Sequence, residues 1–212
     1  MNQRAEYERM YEVEVKVPGE YETVRAALAD VDAAEHTTVA QADTYYDAPH
    51  RAFEQTDEAF RLRRVATAAR GFERGDDLTA DIDAVLSGPA RADGESRVTY
   101  KGPLVEAESK TREEFETAVG DDAQMAAIIE QLGFESAAVV RKLRTKHHFE
   151  GFTVLLDAVE DVGEYVEIET TVEAEHAVSG AREDAYAVLR RLGLDPTDQI
   201  RTSYLGLRTS NA

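Results

Sequence analysis

Charged residues recur at every second position in several short segments that are otherwise apolar. In "YEVEVKV", residues 11–17, Glu12, Glu14 and Lys16 alternate with valines; "FRLRR" sets Arg61 with Arg63, "RKLR" sets Lys142 with Arg144, and "YVEIE" sets Glu167 with Glu169. "SKTREEFE" aligns Lys110, Arg112, Glu114 and Glu116 in the same way. Strand side chains alternate between faces, so each of these sets shares one face. Taken singly, any such strand has an ordinary explanation, because an antiparallel sheet often turns one face to water. The sets taken together ask for another, since a solvated face mixes signs and neutral polar residues, whereas here carboxylate pairs and cation pairs occupy separate strands.

If the sheet curls into a closed barrel, these faces line its interior. Ions in a low-dielectric space are costly unless compensated, so such an interior needs a charged ligand. The cations Lys16, Arg61, Arg63, Lys101, Lys110, Arg112, Lys142 and Arg144 suit a polyanion such as a triphosphate. Arginine offers forked donors to it and lysine a compact point charge. The carboxylates Glu12, Glu14, Glu167, Glu169 and Asp157 suit a divalent cation instead, and all-oxygen ligation favours Mg²⁺ or Mn²⁺ over zinc. No Ser-His-Asp arrangement stands out. The adjacent His147 and His148 alternate on a strand, so at most one faces the interior, and neither is given a role.

Composition narrows the setting. With 212 residues and 42% hydrophobic content the chain can bury a proper core. A net charge of −19 repels nucleic acid and anionic membranes, which excludes both as expected partners. No apolar run reaches the roughly 18 residues of a membrane span and the first residues lack signal-peptide character, so a soluble cytoplasmic protein is expected. The absence of cysteine removes thiolate nucleophiles and Cys-ligated zinc. Five lysines stand against 19 arginines in an acidic, alanine-rich chain, which resembles a halophilic protein from a haloarchaeon. At molar salt the screening length falls to about 3 Å, and a large like-charge surface costs little there. All five lysines fall in strand-like segments.

The elements that position these residues are short strands interrupted by four helices, expected within 18–31, 121–133, 181–193 and 197–208. Their apolar stripes include Val24, Leu28 and Val31, then Ile128, Ile129 and Leu132, then Val188, Leu189 and Leu192, then Ile200, Tyr204 and Leu207. Strand, helix and strands from "YEVEVKV" to "FRLRR" are echoed from "KTREEFETAV" to "TVLLDAV", a weak internal repeat. Residues 66–97 are acidic, glycine-containing and poorly periodic, and read as an inserted hairpin or mobile loop within one domain spanning 1–212. Asp43 and Asp47 of "DTYYD" read as loop-forming or capping residues.

In this order, "EVEVK", "DTYYD", "EAFRLRR", "YKGP", "KTREEFE", "RKLR", "LLDAVEDVGEYVEIE" and "SYLGL" resemble the CYTH superfamily, the triphosphate tunnel metalloenzymes. The resemblance implies an α+β fold: a closed antiparallel eight-stranded β-barrel, the triphosphate tunnel, with flanking helices. It implies Glu12, Glu14, Glu167 and Glu169, assisted by Asp157, as ligands of Mg²⁺ or Mn²⁺. Lys16, Arg61, Arg63, Lys101, Lys142 and Arg144, with Arg112 as an addition, become the phosphate ligands, and Lys110 a rim residue. It also suggests a homodimer. The Tyr45-Tyr46 pair and "TDEAFRLRR" look more like the class IV adenylyl cyclase branch, which converts ATP to cyclic AMP and pyrophosphate. The alternatives are a triphosphatase acting on inorganic or thiamine triphosphate, and a non-catalytic nucleotide or polyphosphate binder. Four glutamates aimed at one ligand argue against a pure anion binder.

Overall fold

A computed structural model describes residues 11–103 and 113–210. Its elements are β1 (Tyr11–Pro18), α1 (Tyr21–Asp30), β2 (Ala34–Asp47), β3 (Ala59–Ala68), α2 (Leu78–Leu86), β4 (Arg91–Lys101) and β5 (Glu114–Val119). They continue with α3 (Asp122–Gln131), β6 (Glu135–Phe149), β7 (Phe152–Val159), β8 (Gly163–Val172), α4 (Val178–Arg191) and α5 (Tyr204–Ser210). The expected repeat is visible in the element order, where β1-α1-β2-β3 is matched by β5-α3-β6-β7. The eight strands form one sheet in the order β1-β8-β7-β6-β2-β3-β4-β5, with antiparallel registers for β1/β8, β2/β3, β3/β4 and β4/β5. The fold is therefore an eight-stranded antiparallel sheet with helices. Among the described residues the order ends at β1 and β5, so it is a sheet with two edges and not a hydrogen-bonded closed barrel.

Two compact units share the chain: Met1–Thr37, Arg144–Ala158 and Gly163–Thr202 form the first, and Thr38–Leu143, Val159–Val162 and Ser203–Ala212 the second. In the first, the apolar positions that alternate with the charges of β1 and β8, Val15, Val17, Val166 and Ile168, pack with Val24 and Leu28 of α1 and with Ala185, Val188 and Leu189 of α4. That packing settles which face of β1 carries Glu14 and Lys16. Gly193 follows α4 at φ 78°, a backbone angle that other residues adopt at a cost, and it ends the helix where the sequence placed the stop. The stripe from Ile200 to Leu207 is not one helix. The Ile200 N–H donates to the Lys16 carbonyl at 2.8 Å, and α5 starts only at Tyr204.

In the second unit, α3 begins at the expected cap, with Asp121 accepting from the Gln124 N–H at 2.9 Å, and Ile129 packs with Tyr46 and Leu62. Residues 66–97 close the antiparallel β3/β4 hairpin, one of the two forms expected, but they also hold helix α2, which neither form contained. Asp77 caps α2 by accepting from the Ala80 N–H. Leu78, Ile82, Val85 and Leu86 make its buried stripe, which packs on Ala40, Ala42, Ala66 and Leu143. Flanking glycines and aspartates hide this stripe in the sequence. No described helix is long and apolar enough to cross a membrane.

Candidate functional site

In the first unit the β1/β8 register places Glu14 opposite Glu169 and Lys16 opposite Glu167. One carboxylate oxygen from each of Glu14, Glu167 and Glu169 lies within 4.8 Å of the others. Hard divalent cations take oxygens at roughly 2.0–2.6 Å, so oxygens on opposite sides of one ion are about 4–5 Å apart. The three glutamates fit such an ion. Around them, the Arg144 Nε donates to Asp157 at 2.6 Å, and its Nη2 donates to the other Asp157 oxygen at 2.5 Å and also to Glu167. Glu169 lies 4.0 Å from Arg144 Nη1, and the Lys16 ammonium 4.0 Å from Glu167. Burial works against the Arg144 charge, but Asp157 and Glu167 outweigh it and hold the guanidinium protonated well above its ordinary range. Glu14, Asp157, Glu167 and Glu169 bring four negative charges against two from Lys16 and Arg144. Among these described side chains the surplus equals the charge of one divalent cation.

In the second unit the balance is reversed. Asp43, on β2, is buried and lies opposite Arg63 on β3. It accepts from Arg63 Nε at 2.6 Å and Nη2 at 2.5 Å, a forked pair, and from Arg61 Nη1 at 3.5 Å. Burial alone would raise the Asp43 pKa, yet the Arg63 hydrogen bond and the charges of Arg63, Arg61 and Lys142 leave it lowered. Three cations thus face one carboxylate. Tyr45, two residues along the same face, has its phenol pKa raised first by burial and then by the Asp43 charge, so it remains a hydrogen-bond donor. Lys142 is buried, with its ammonium 4.8 Å from the centre of the Tyr204 ring. Along the same face of β4, Lys101 is bound to Glu114 at 2.5 Å, and Glu116 accepts from Arg97 at 2.8 Å and Thr99 at 2.9 Å.

The sequence-predicted residues thus divide between the units. Glu14, Lys16, Arg144, Asp157, Glu167 and Glu169 gather in the first, and Arg61, Arg63 and Lys142 in the second, with Lys101 held by Glu114. Glu12 is located by its backbone alone, opposite Thr171 on β8, and Lys110 and Arg112 lie outside the described residues. Asp43 departs from its reading as a loop or capping residue: it sits inside β2 as the anion that organises two arginines. Asp47 does cap a turn, accepting from the Phe53 N–H at 3.3 Å. The signal for Asp43 was its two-residue spacing from Tyr45 within a strand.

The Asp43 arrangement makes a testable statement about acid stability. A carboxylate whose folded pKa is depressed adds stability above its unfolded pKa of about 3.9, and that stability is lost as pH falls through the folded value. Asp43→Asn is expected to cost about 1–3 kcal/mol near pH 7, because Arg63 loses its charged partner. The difference from the parent shrinks below pH 4. Urea unfolding between pH 2 and 7 measures it, and a difference independent of pH would mean that the pair contributes through packing alone.

Comparison with known proteins follows the same lines. A protein of Methanocaldococcus jannaschii, provisionally named an adenylate cyclase, is 31% identical over 168 residues, 79% of this chain and 81% of its own. A solved structure from Pyrococcus horikoshii superposes with a TM-score of 0.73 at 30% identity, covering 95% of this chain and 100% of that one. A Hippeastrum protein, provisionally named an adenylyl cyclase and described as having a dominant triphosphatase activity, shares the fold at a TM-score of 0.58 and 16% identity, over 95% of each chain. With its charged strands in this order and a match to the CYTH domain over residues 10–204, the chain belongs to the CYTH domain family.

Proposed function

We propose that this CYTH protein is a metal-dependent enzyme acting on a triphosphate, and that its reaction is that of a class IV adenylyl cyclase, ATP to cyclic AMP and pyrophosphate. The observation that carries the reading is the paired charge imbalance: a carboxylate group short of one divalent cation, and a cationic group anchored on a single aspartate. The tunnel form of the sheet and a homodimer, both implied by the family resemblance, belong to this proposal.

Within it, Glu14, Glu167 and Glu169, with Glu12 and Asp157, hold Mg²⁺ or Mn²⁺. When held there, such a cation would supply positive charge to phosphate oxygens. Arg144 pairs with Asp157 and Glu167 and orients them. Lys16, Arg61, Arg63, Lys101, Arg112 and Lys142 bind phosphate oxygens, and Tyr45 donates to one. Such preorganised donors stabilise the charge that develops as the bond to the leaving group lengthens. The ribose 3′-hydroxyl gives its proton to water and forms the bond to the α-phosphorus, while the bond from that phosphorus to the bridging oxygen breaks and pyrophosphate leaves. The triphosphatase alternative has one observation in its favour, the dominant triphosphatase activity of the Hippeastrum relative.

Chromatography of products from ATP, thiamine triphosphate and inorganic triphosphate, each with Mg²⁺ or Mn²⁺ at molar KCl, separates the two. Cyclic AMP with equimolar pyrophosphate is expected. Orthophosphate alone would replace the cyclase with a hydrolase, and no turnover with tight metal-free triphosphate binding would leave a binding protein.

A further inference from the structure

Gln41 lies on β2 two residues before Asp43 and four before Tyr45, so the three side chains share one face of the strand. Ala40 and Ala42, on either side of Gln41, face the other way, into the core under α2. Gln41 is 7% exposed, and its amide oxygen Oε1 is buried without a hydrogen-bond partner. Leaving a buried acceptor unsatisfied costs on the order of 1–3 kcal/mol, a cost that a leucine or methionine at this position would not incur. A second orphan lies on the same face. The Arg61 Nε–H is buried with no acceptor, and Arg61 stands opposite Tyr45 in the β2/β3 register.

The two orphans ask for opposite chemistry. Arg61 Nε offers a proton and suits a phosphate oxygen. Gln41 Oε1 accepts one, and an ionised phosphate has no proton to give. Four residues of strand separate the backbones of the Gln41 and Tyr45/Arg61 rows, about 14 Å at 3.4 Å per residue. The Arg61 guanidinium leans back toward Asp43, between the two rows, so reach alone does not separate the orphans; their opposite chemistry does. A ligand that satisfies the face must carry acceptors near Arg61 and an N–H or O–H donor near Gln41.

We infer that Gln41 is a specificity-determining residue that reads the non-phosphate part of the substrate, so that this chain takes an organic triphosphate bearing a hydroxyl or amino donor in preference to inorganic triphosphate. The inference rests on the triphosphate reading above and deepens it by assigning a residue to the part of the substrate beyond its phosphates.

The test compares two ligands on the whole protein by titration calorimetry in EDTA at high salt: the α,β-methylene analogue of ATP and inorganic triphosphate. Gln41→Met is expected to weaken the ATP analogue about 10-fold, with inorganic triphosphate changed by less than about 2-fold. Gln41→Glu keeps an acceptor oxygen, so its added charge weakens both ligands but the ratio between them holds. Thermal melts accompany the titrations. Removing an unsatisfied acceptor leaves the melting temperature of Gln41→Met unchanged or raised, and a marked fall would mean that Oε1 serves the fold, overturning the inference. Equal weakening of both ligands, the result if a flipped amide donates Nε2–H to phosphate, overturns it too, as does no change in either. If the unmodified protein binds neither ligand, in EDTA or with Mg²⁺ added, the triphosphate reading itself fails, an outcome distinct from all of these.

Discussion

Glu169→Gln lowers metal-dependent turnover on the order of 100-fold or more while the fold persists, the expected result if three glutamates hold one cation. The substitution preserves shape and removes one charge from a set whose oxygens lie within 4.8 Å of each other. A neutral amide is a poor ligand for Mg²⁺ or Mn²⁺, so the variant should also need more metal to reach its residual rate. Stability should move little, because the Glu169 side chain is 24% exposed and its ion pair with Arg144 is a long one, 4.0 Å. Turnover titrated against Mn²⁺, alongside a urea melt, reads both effects. Activity within twofold of the parent at low metal would remove Glu169 from the ligand set.

Arg144→Met carries the largest expected stability effect. Asp157 has no exposed side-chain area and Glu167 is nearly as deep, and both are held by the one guanidinium. Removing one partner of a buried ion pair typically costs about 3–5 kcal/mol, since the remaining charges keep their desolvation penalty. The sign with pH follows. Without Arg144 the buried Asp157 and Glu167 have one cation fewer to offset their charge, and protonation lowers that cost of burial. The loss is therefore largest near neutral pH and diminishes as pH falls toward 4. Added Mg²⁺ should recover part of it at pH 7 by supplying charge to the same carboxylates. Urea unfolding at both pH values, with and without Mg²⁺, checks this, and a deficit indifferent to pH and metal would assign Arg144 a packing role only.

Much of the metal-binding half was legible because charge sets alternated with valine and isoleucine, a pattern that fixes a face before any partner is known. Glu14 and Glu169 could be placed on the same kind of face from their own strands. Their direct opposition required the β1/β8 register, which a single sequence does not encode in an obvious way. Asp43 was lost for a different reason. "DTYYD" precedes "APHR", and proximity to a turn favoured the capping explanation, although Gln41, Asp43 and Tyr45 already showed strand spacing. Helix α2 escaped because its four apolar residues lie among alanines and aspartates, where the 3.6-residue period is short and flanked by breakers. The edge-to-edge order of the sheet had no sequence signature, since closure depends on the relative tilt of all the strands.

The alanine floor beneath α2 bears on how this lineage can vary. Ala40, Ala42 and Ala66 leave room for Ile82, Val85 and Leu86 to reach the strands, and each is nearly or fully sealed from solvent. A bulkier residue at any of the three would lift the helix, whereas deletion of the helix would bare a strip of sheet with nothing large to cover it. The helix and the three alanines are therefore inherited together or lost together. A relative that keeps small residues at the positions corresponding to 40, 42 and 66 should retain a helix in its long connection, and one that fills them should have shortened it.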